Sequence, residues 1–274
     1  MVRRRQLARQ LRLMRERAGL TLEAAAPELD WSVSKLSRIE TAQQAVDVHA
    51  VRSMLDLYRV GGEVWGETLE LCRAARQRGW WRAYGLGDDS YVGFENEATA
   101  VFDFTLAYVP GLLQTAEYAR AVIRTAETPV KRERLNNFVA VRMIRQQRLT
   151  STENPLQLAA VIDEAALHRV IGTPRVHLAQ LHHLIAAAEF DAVTLQVLPA
   201  SIGAHAAMVS PFTVLRFDAL GEPDLAYVEH TLGALFMEKG ADVQRAKLLF
   251  DRLRSTALNP TDSVGLIRQL AERS

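Results

Sequence analysis

Residues 21–40, TLEAAAPELDWSVSKLSRIE, hold two short helical patterns with almost no chain between them. Thr21 stands where an N-cap belongs, ahead of an apolar face made by Leu22, Ala25, Ala26 and Leu29. Pro27 lies about five residues into that helix and is expected to weaken or bend its last turn. Ser32 caps the next helix, which runs to Glu40 with Leu36 and Ile39 turned inward. The four residues Leu29-Asp30-Trp31-Ser32 leave room only for a tight turn. Two helices joined in this way form the helix-turn-helix arrangement, whose second member enters the DNA major groove.

The patterns on either side are helical as well. Leu7, Leu11, Met14 and Ala18 recur at spacings of four, three and four, one face of a first helix that Gly19 ends. Asp47 caps a fourth helix with Val51, Met54, Leu55 and Tyr58 as its buried stripe, and a fifth covers 63–78 with Val64, Leu69, Leu71 and Cys72. After residue 80 the texture changes. Residues 85–96 read as a loop. Strands are predicted at 106–109, 156–162, 193–198, 212–217, 225–228 and 232–236, and helices at about 114–126, 132–149, 175–188, 241–257 and 262–272. Strands gathered late, with helices before and after, predict an α+β domain more than a regular βαβ array. The expected organisation is a mainly α helix-turn-helix domain of five helices in 1–80 and an α+β domain in 81–274.

The outward side of the second short helix gives the chemistry. With Leu36 and Ile39 inside, Val33, Ser34, Lys35, Ser37 and Arg38 remain for solvent. Serine bonds base edges or phosphate, arginine forks onto guanine, and valine touches a thymine methyl. No carboxylate precedes Glu40 to oppose a phosphate. The charge of the chain supports this placement. It is +1 overall, but +4 over residues 1–45 and −3 over the rest, so an anionic partner belongs at the N-terminal end. A solvated basic helix face is the plain alternative.

The stretch 11–40 resembles the phage-repressor-type helix-turn-helix of the XRE family, in its Arg before Gly-Leu-Thr, its Ala-rich second helix and its Ser-x-Ser-x-Leu-Ser-Arg-Ile-Glu run. Beyond it, Gly79-Trp80-Trp81 and the stretches 108–119, 160–164, 195–205, 211–217 and 227–236 are similar to the large C-terminal domain of actinobacterial regulators of the WhiJ type. The resemblance implies that Val33, Ser34 and Arg38 face base edges and that Gln43 and Gln44 touch the backbone of a double-stranded operator. Ser32, Lys35 and Ser37 complete the expected DNA-binding set. It implies too that Arg15 and Glu40 form an ion pair; if exposed, such a pair contributes only about 0–1 kcal/mol. The family usually places Gln where this chain has Leu22, so a phosphate anchor is missing there. Regulators of this kind act as homodimers and are commonly encoded beside a very small acidic partner protein. An unidentified small-molecule effector is a further expected partner, with Trp80, Trp81, Tyr108, Gln114, Tyr118 and His205 as candidate ligand or partner residues.

Other chemistries find little to stand on. His177, His182 and His183 are spaced by five and one, so they share no helical face for a zinc pair; exposed or capping histidines fit better. The Gly85-Leu86-Gly87 stretch lacks the rest of a dinucleotide fingerprint, and no Gly-x-Ser-x-Gly elbow occurs. Neither cofactor nor metal is expected. Asp163 and Glu164 stand at a strand-to-helix junction, where capping explains them. Trp80, Trp81, Tyr84, Tyr91 and Phe94 cluster near the domain junction, as a hinge packing the domains or a stacking surface. Residues 199–211 form a small-residue loop that closes a pocket or merely connects strands. One cysteine, Cys72, excludes an internal disulfide framework and fits a reduced, half-buried thiol in a cytoplasmic protein. The longest apolar run, 106–113, is far short of the ~20 residues that span a bilayer. The competing reading is an enzyme or small-molecule-binding protein with an appended helix-turn-helix and its activity in 90–274; a third is an interaction scaffold.

Overall fold

Thr21, Ser32 and Asp47 begin helices as their side chains predict. Each accepts a hydrogen bond from the backbone N–H three residues on, at 3.2, 3.2 and 2.9 Å. The computed structural model describes residues 1–87, 90–126, 129 and 131–273. Its first helices are α1 (Val2–Arg17), α2 (Leu22–Glu28), α3 (Val33–Glu40), α4 (Val48–Leu57) and α5 (Gly62–Arg76). They belong to a unit comprising Met1–Arg82 and the described residues of Leu86–Phe94; a second unit comprises Ala83–Gly85 and the described residues from Glu95 on.

The first unit closes on Leu7, Leu11, Ala25, Ala26, Leu36, Ile39, Val51, Met54, Leu55 and Leu69. Cys72 lies in the same core and is fully buried, not half-buried; burial pushes its thiol pKa up. Helix α2 stops one residue after Pro27, and the chain turns there through Asp30 in the left-handed region (φ 54°), with Trp31 N–H bonded to the Ala26 carbonyl at 2.9 Å. Two expected faces are corrected. Val64 is 47% exposed on α5. Ala18 is exposed at the α1 C-cap, and Arg15 takes its place on the buried side. An arginine reads as polar in a periodicity count, yet it can be buried when its charge is matched.

The second unit adds a short helix end and a sheet. Helix α6 (Tyr91–Glu95) occupies part of the stretch expected to be loop; Asp88 and Asp89 in that stretch lie outside the described residues. Then follow β1 (Ala100–Thr105), α7 (Ala116–Ala126), α8 (Arg132–Gln146), β2 (Gln157–Asp163), α9 (Glu164–His168), α10 (Pro174–Ala187) and β3 (Val193–Leu198). They are followed by β4 (Phe212–Phe217), β5 (Glu222–His230), β6 (Gly233–Met237), α11 (Gly240–Thr256) and α12 (Pro260–Arg273). The strand order is β3-β2-β1-β4-β5-β6. β1, β2 and β3 run parallel, joined by helical crossovers, while β4, β5 and β6 pair antiparallel. The domain is α+β, with wound βαβ units making half of its sheet. Helix α11 packs Val243, Phe250 and Leu253 on one face, against Phe104, Val161, Phe212, Val214 and Ala226.

The strand expected at 106–109 is not there. The first strand lies upstream at Ala100–Thr105, where Asp103 interrupts the apolar alternation that marks a strand. Residues 106–113 are apolar because they fill a packed turn: Val109, Leu112 and Leu113 are buried, and Pro110 leads into a single 3-10 turn, Gly111–Leu113. His177 is also corrected. It is buried, and that burial lowers its pKa against a hydrogen bond with the Leu167 backbone. His182 is exposed. Asp163 caps α9 as expected, accepting from Ala165 N–H at 2.9 Å, and Glu164 accepts from Ala200 N–H at 2.8 Å.

Candidate nucleic-acid interface

Helix α3 is held by Leu36 and Ile39 in the core and by one buried ion pair. Arg15 donates from Nε and Nη2 to the two carboxylate oxygens of Glu40, both at 2.8 Å, and from Nη1 to the Leu20 carbonyl at 2.6 Å. The two side chains are 7% and 3% exposed. The pair is therefore a buried fork and not a surface bridge, and it ties the last residue of α3 to α1 and to the turn behind it. Glu40 holds the Arg15 pKa above its usual value, chiefly through that hydrogen bond. Burial raises the pKa of the neighbouring Tyr58, with Glu40 adding to it, and the Tyr58 hydroxyl has no partner.

With Glu40 drawn inward, the outer side of α3 carries no carboxylate. Ser32, Val33, Ser34 and Arg38 are exposed, Val33 to 38%, while Lys35 and Ser37 are half-buried. Ser32 Oγ accepts from Lys35 N–H at 3.2 Å, which leaves its hydroxyl proton to donate outward. Lys35 Nζ rests 4.0 Å from the Trp31 ring centroid, a cation–π contact that holds the ammonium at the start of the helix. Sequence reasoning passed over Trp31; its spacing of four from Lys35 was the available signal. After the helix, Ala42 takes a left-handed φ of 59°, and both Gln43 and Gln44 N–H groups bond to the Arg38 carbonyl, at 2.8 and 3.0 Å. That closure sets Gln43 at the surface and Gln44 half-buried just after α3.

The remaining candidate residues do not gather in one place. Trp80 and Trp81 meet edge to face at 5.9 Å, and Trp81 Nε1 donates to the Gly87 carbonyl at 3.1 Å. In the second unit, Tyr118 and Gln114 are fully buried and engaged with the chain. Val109 N–H donates to the Tyr118 hydroxyl at 3.2 Å, Gln114 Nε2 donates to the Val109 carbonyl at 2.6 Å, and Gln114 Oε1 accepts from Arg142 at 2.5 Å. Tyr108, beside them in sequence, is 37% exposed. His205 stacks edge-on against Phe104 at 5.7 Å, with Nε2 3.4 Å from Asp163 and Nδ1 buried without a partner. Phe104 points away from Asp103, its neighbour on β1, so His205 and Asp103 lie on opposite faces of the sheet. Among the described residues, no group of three or more His, Cys, Asp or Glu side chains could hold a metal ion, and no helix is long and apolar enough to cross a membrane.

Comparison with known proteins finds two family models along the chain. Residues 6–65 match a family model described as a helix-turn-helix domain, and residues 89–269 match one described as a domain of unknown function, DUF5753. No curated protein and no solved structure matches the chain. The second match covers about two thirds of the sequence. With its helix-turn-helix domain at the N-terminus, the chain belongs to the DUF5753 family.

Proposed function

We propose that the chain is a sequence-specific transcriptional regulator of the XRE, WhiJ-like type, a non-enzymatic cytoplasmic protein that docks α3 in the major groove of a double-stranded operator. The observation that carries this reading is the outer face of α3: exposed Val33, Ser34 and Arg38 with no carboxylate among them, because Glu40 is folded onto Arg15. Arg38 forks onto a guanine, Ser34 and Val33 contact base edges, and Ser32, Lys35, Ser37, Gln43 and Gln44 position the helix through phosphates and neighbouring bases. A single module of this size binds weakly at physiological salt, so a homodimer reading two half-sites about one helical turn apart completes the reader. The C-terminal unit supplies that dimer surface and the input, from a small-molecule effector or from a small acidic, antitoxin-like partner protein.

Genome-wide mapping of bound DNA yields the operator, and anisotropy titration on it tests the docking. Arg38→Ala lowers affinity by about 1–3 kcal/mol, and replacing arginines between 3 and 12 mainly reduces the salt slope. Unchanged operator binding by the Arg38 variant contradicts the docking.

A further inference from the structure

In the second unit, one corner of the sheet gathers charged and aromatic groups that the reading above does not use. Across four strands the pairing sets Asp103 of β1 opposite Thr213 of β4, Thr213 opposite Tyr227 of β5, and Tyr227 opposite Phe236 of β6. These four residues form a row on the face opposite α11. Thr213 Oγ1 donates to Asp103 at 3.0 Å, and the Tyr227 and Phe236 rings lie 5.0 Å apart. Two residues beyond Asp103 on the same face, Thr105 Oγ1 is buried with no partner. Such an orphan in a native core asks for an explanation.

Above the row stand Arg142 and Arg145, three residues apart on α8. Both approach Gly111: a Cβ placed there would sit 3.7 Å from Arg142 Nε and from Arg145 Nη2. Arg145 is matched, forking onto Glu95 at 2.6 Å through each of two nitrogens. Arg142 is not. Of its five N–H donors, one nitrogen meets the neutral Gln114 amide; among the described residues no carboxylate lies within ion-pair distance, and no remaining Arg142 nitrogen is a buried atom without a partner. Burial first, then the charge of Arg145, lowers its pKa to about 10. Tyr108 lies within electrostatic reach of Arg142, with its ring partly open to solvent, and Glu229 stands exposed on the next row. Glu229 and Glu95 act on Arg142 only at a distance, so an arginine with donors left over and aromatic rings alongside lacks a hydrogen-bonded anion.

We propose that this corner binds a small organic acid: Arg142 takes its carboxylate, and Tyr108, Tyr227 and Phe236 flank a flat apolar body. The site gives the C-terminal unit a concrete input, and so deepens the signal-input reading, on which it rests. The test uses the full-length protein without DNA, titrated with benzoate, phenylacetate and cinnamate at constant ionic strength, each against its neutral amide. Calorimetry is expected to show saturable binding of at least one acid, at least tenfold tighter than its amide. Arg142→Gln weakens it at least tenfold, and Arg142→Lys restores part of the loss. Gly111→Leu, which leaves both arginines in place and covers them, weakens it as well. Absence of saturable binding by all three acids, equal binding of acid and amide, or an unchanged affinity in folded Arg142→Gln overturns the site. Operator affinity measured separately, with and without the bound acid, distinguishes the two readings: acid binding that leaves DNA affinity unchanged keeps the site and removes its role as signal input.

Discussion

The two units of this chain treat a buried arginine in opposite ways. Arg15 in the helical unit meets a carboxylate through a full fork and a backbone carbonyl besides. Arg142 in the sheet unit meets one neutral amide, next to a second arginine whose charge reaches an aspartate that burial pushes up to about 6. In the first unit the buried charges cancel, and the uncancelled cations sit on the surface, where a large polyanion can reach them. In the second, an arginine without a hydrogen-bonded carboxylate lies within the fold, and the proposed organic acid would supply one.

The largest effect expected from this contrast lies at Arg15. Arg15→Ala strands Glu40 in the core and should lower unfolding free energy by about 3–5 kcal/mol in urea titrations. Replacing both partners with Met and Leu should bring stability back to within about 1 kcal/mol of the parent or above it. A double variant as weak as the single one breaks the comparison, because the pair would then contribute more than mutual neutralisation.

Asp103 comes next. Its folded pKa, about 6 against an ordinary 3.8, is raised first by desolvation, with Thr213 opposing. Stability from a group shifted in this direction is intact below about pH 4 and is lost as pH rises through about 6. Asp103→Asn should therefore stabilise the protein by about 1–3 kcal/mol at pH 8 and hardly at all at pH 3.5. Equal effects at both pH values would show that the carboxyl carries no penalty.

The smallest effect concerns turns. Among the described residues, the non-glycine positions with left-handed φ are Asp30, Ala42 and Arg59, all in the helical unit, which also uses Gly19 and Gly62, whereas the sheet unit uses glycine alone, at Gly85, Gly172, Gly203, Gly221 and Gly233. Ala42→Gly should raise stability by about 0.5–1 kcal/mol, read as a higher midpoint in thermal unfolding, by relieving its Cβ.

What sequence reasoning reached, and what escaped it, follows the same physics. Caps act over three residues, so Thr21, Ser32 and Asp47 were legible as helix starts. Strands rich in β-branched and aromatic residues and bounded by turn residues, such as 193–198 and 212–217, were legible to the residue. β1 was not, because Asp103 breaks its pattern and the stronger apolar run at 106–113 belongs to a packed turn. Five-residue helices such as α6 and α9 are too short to show a period. The outer face of α3 needed only spacing within one helix. The Arg142 corner needed strand order and register, which join Asp103, Thr213, Tyr227 and Phe236 across more than 130 positions of chain.

Whether α3 reads bases is probed most sharply at Arg38. Anisotropy titrations should compare the parent and Arg38→Ala on the mapped operator and on duplexes with each base pair changed singly. The expected result is a variant that folds within about 0.5 kcal/mol of the parent and loses discrimination at one guanine while keeping it elsewhere. A variant with the parent's affinity and the parent's preference at every position would contradict it.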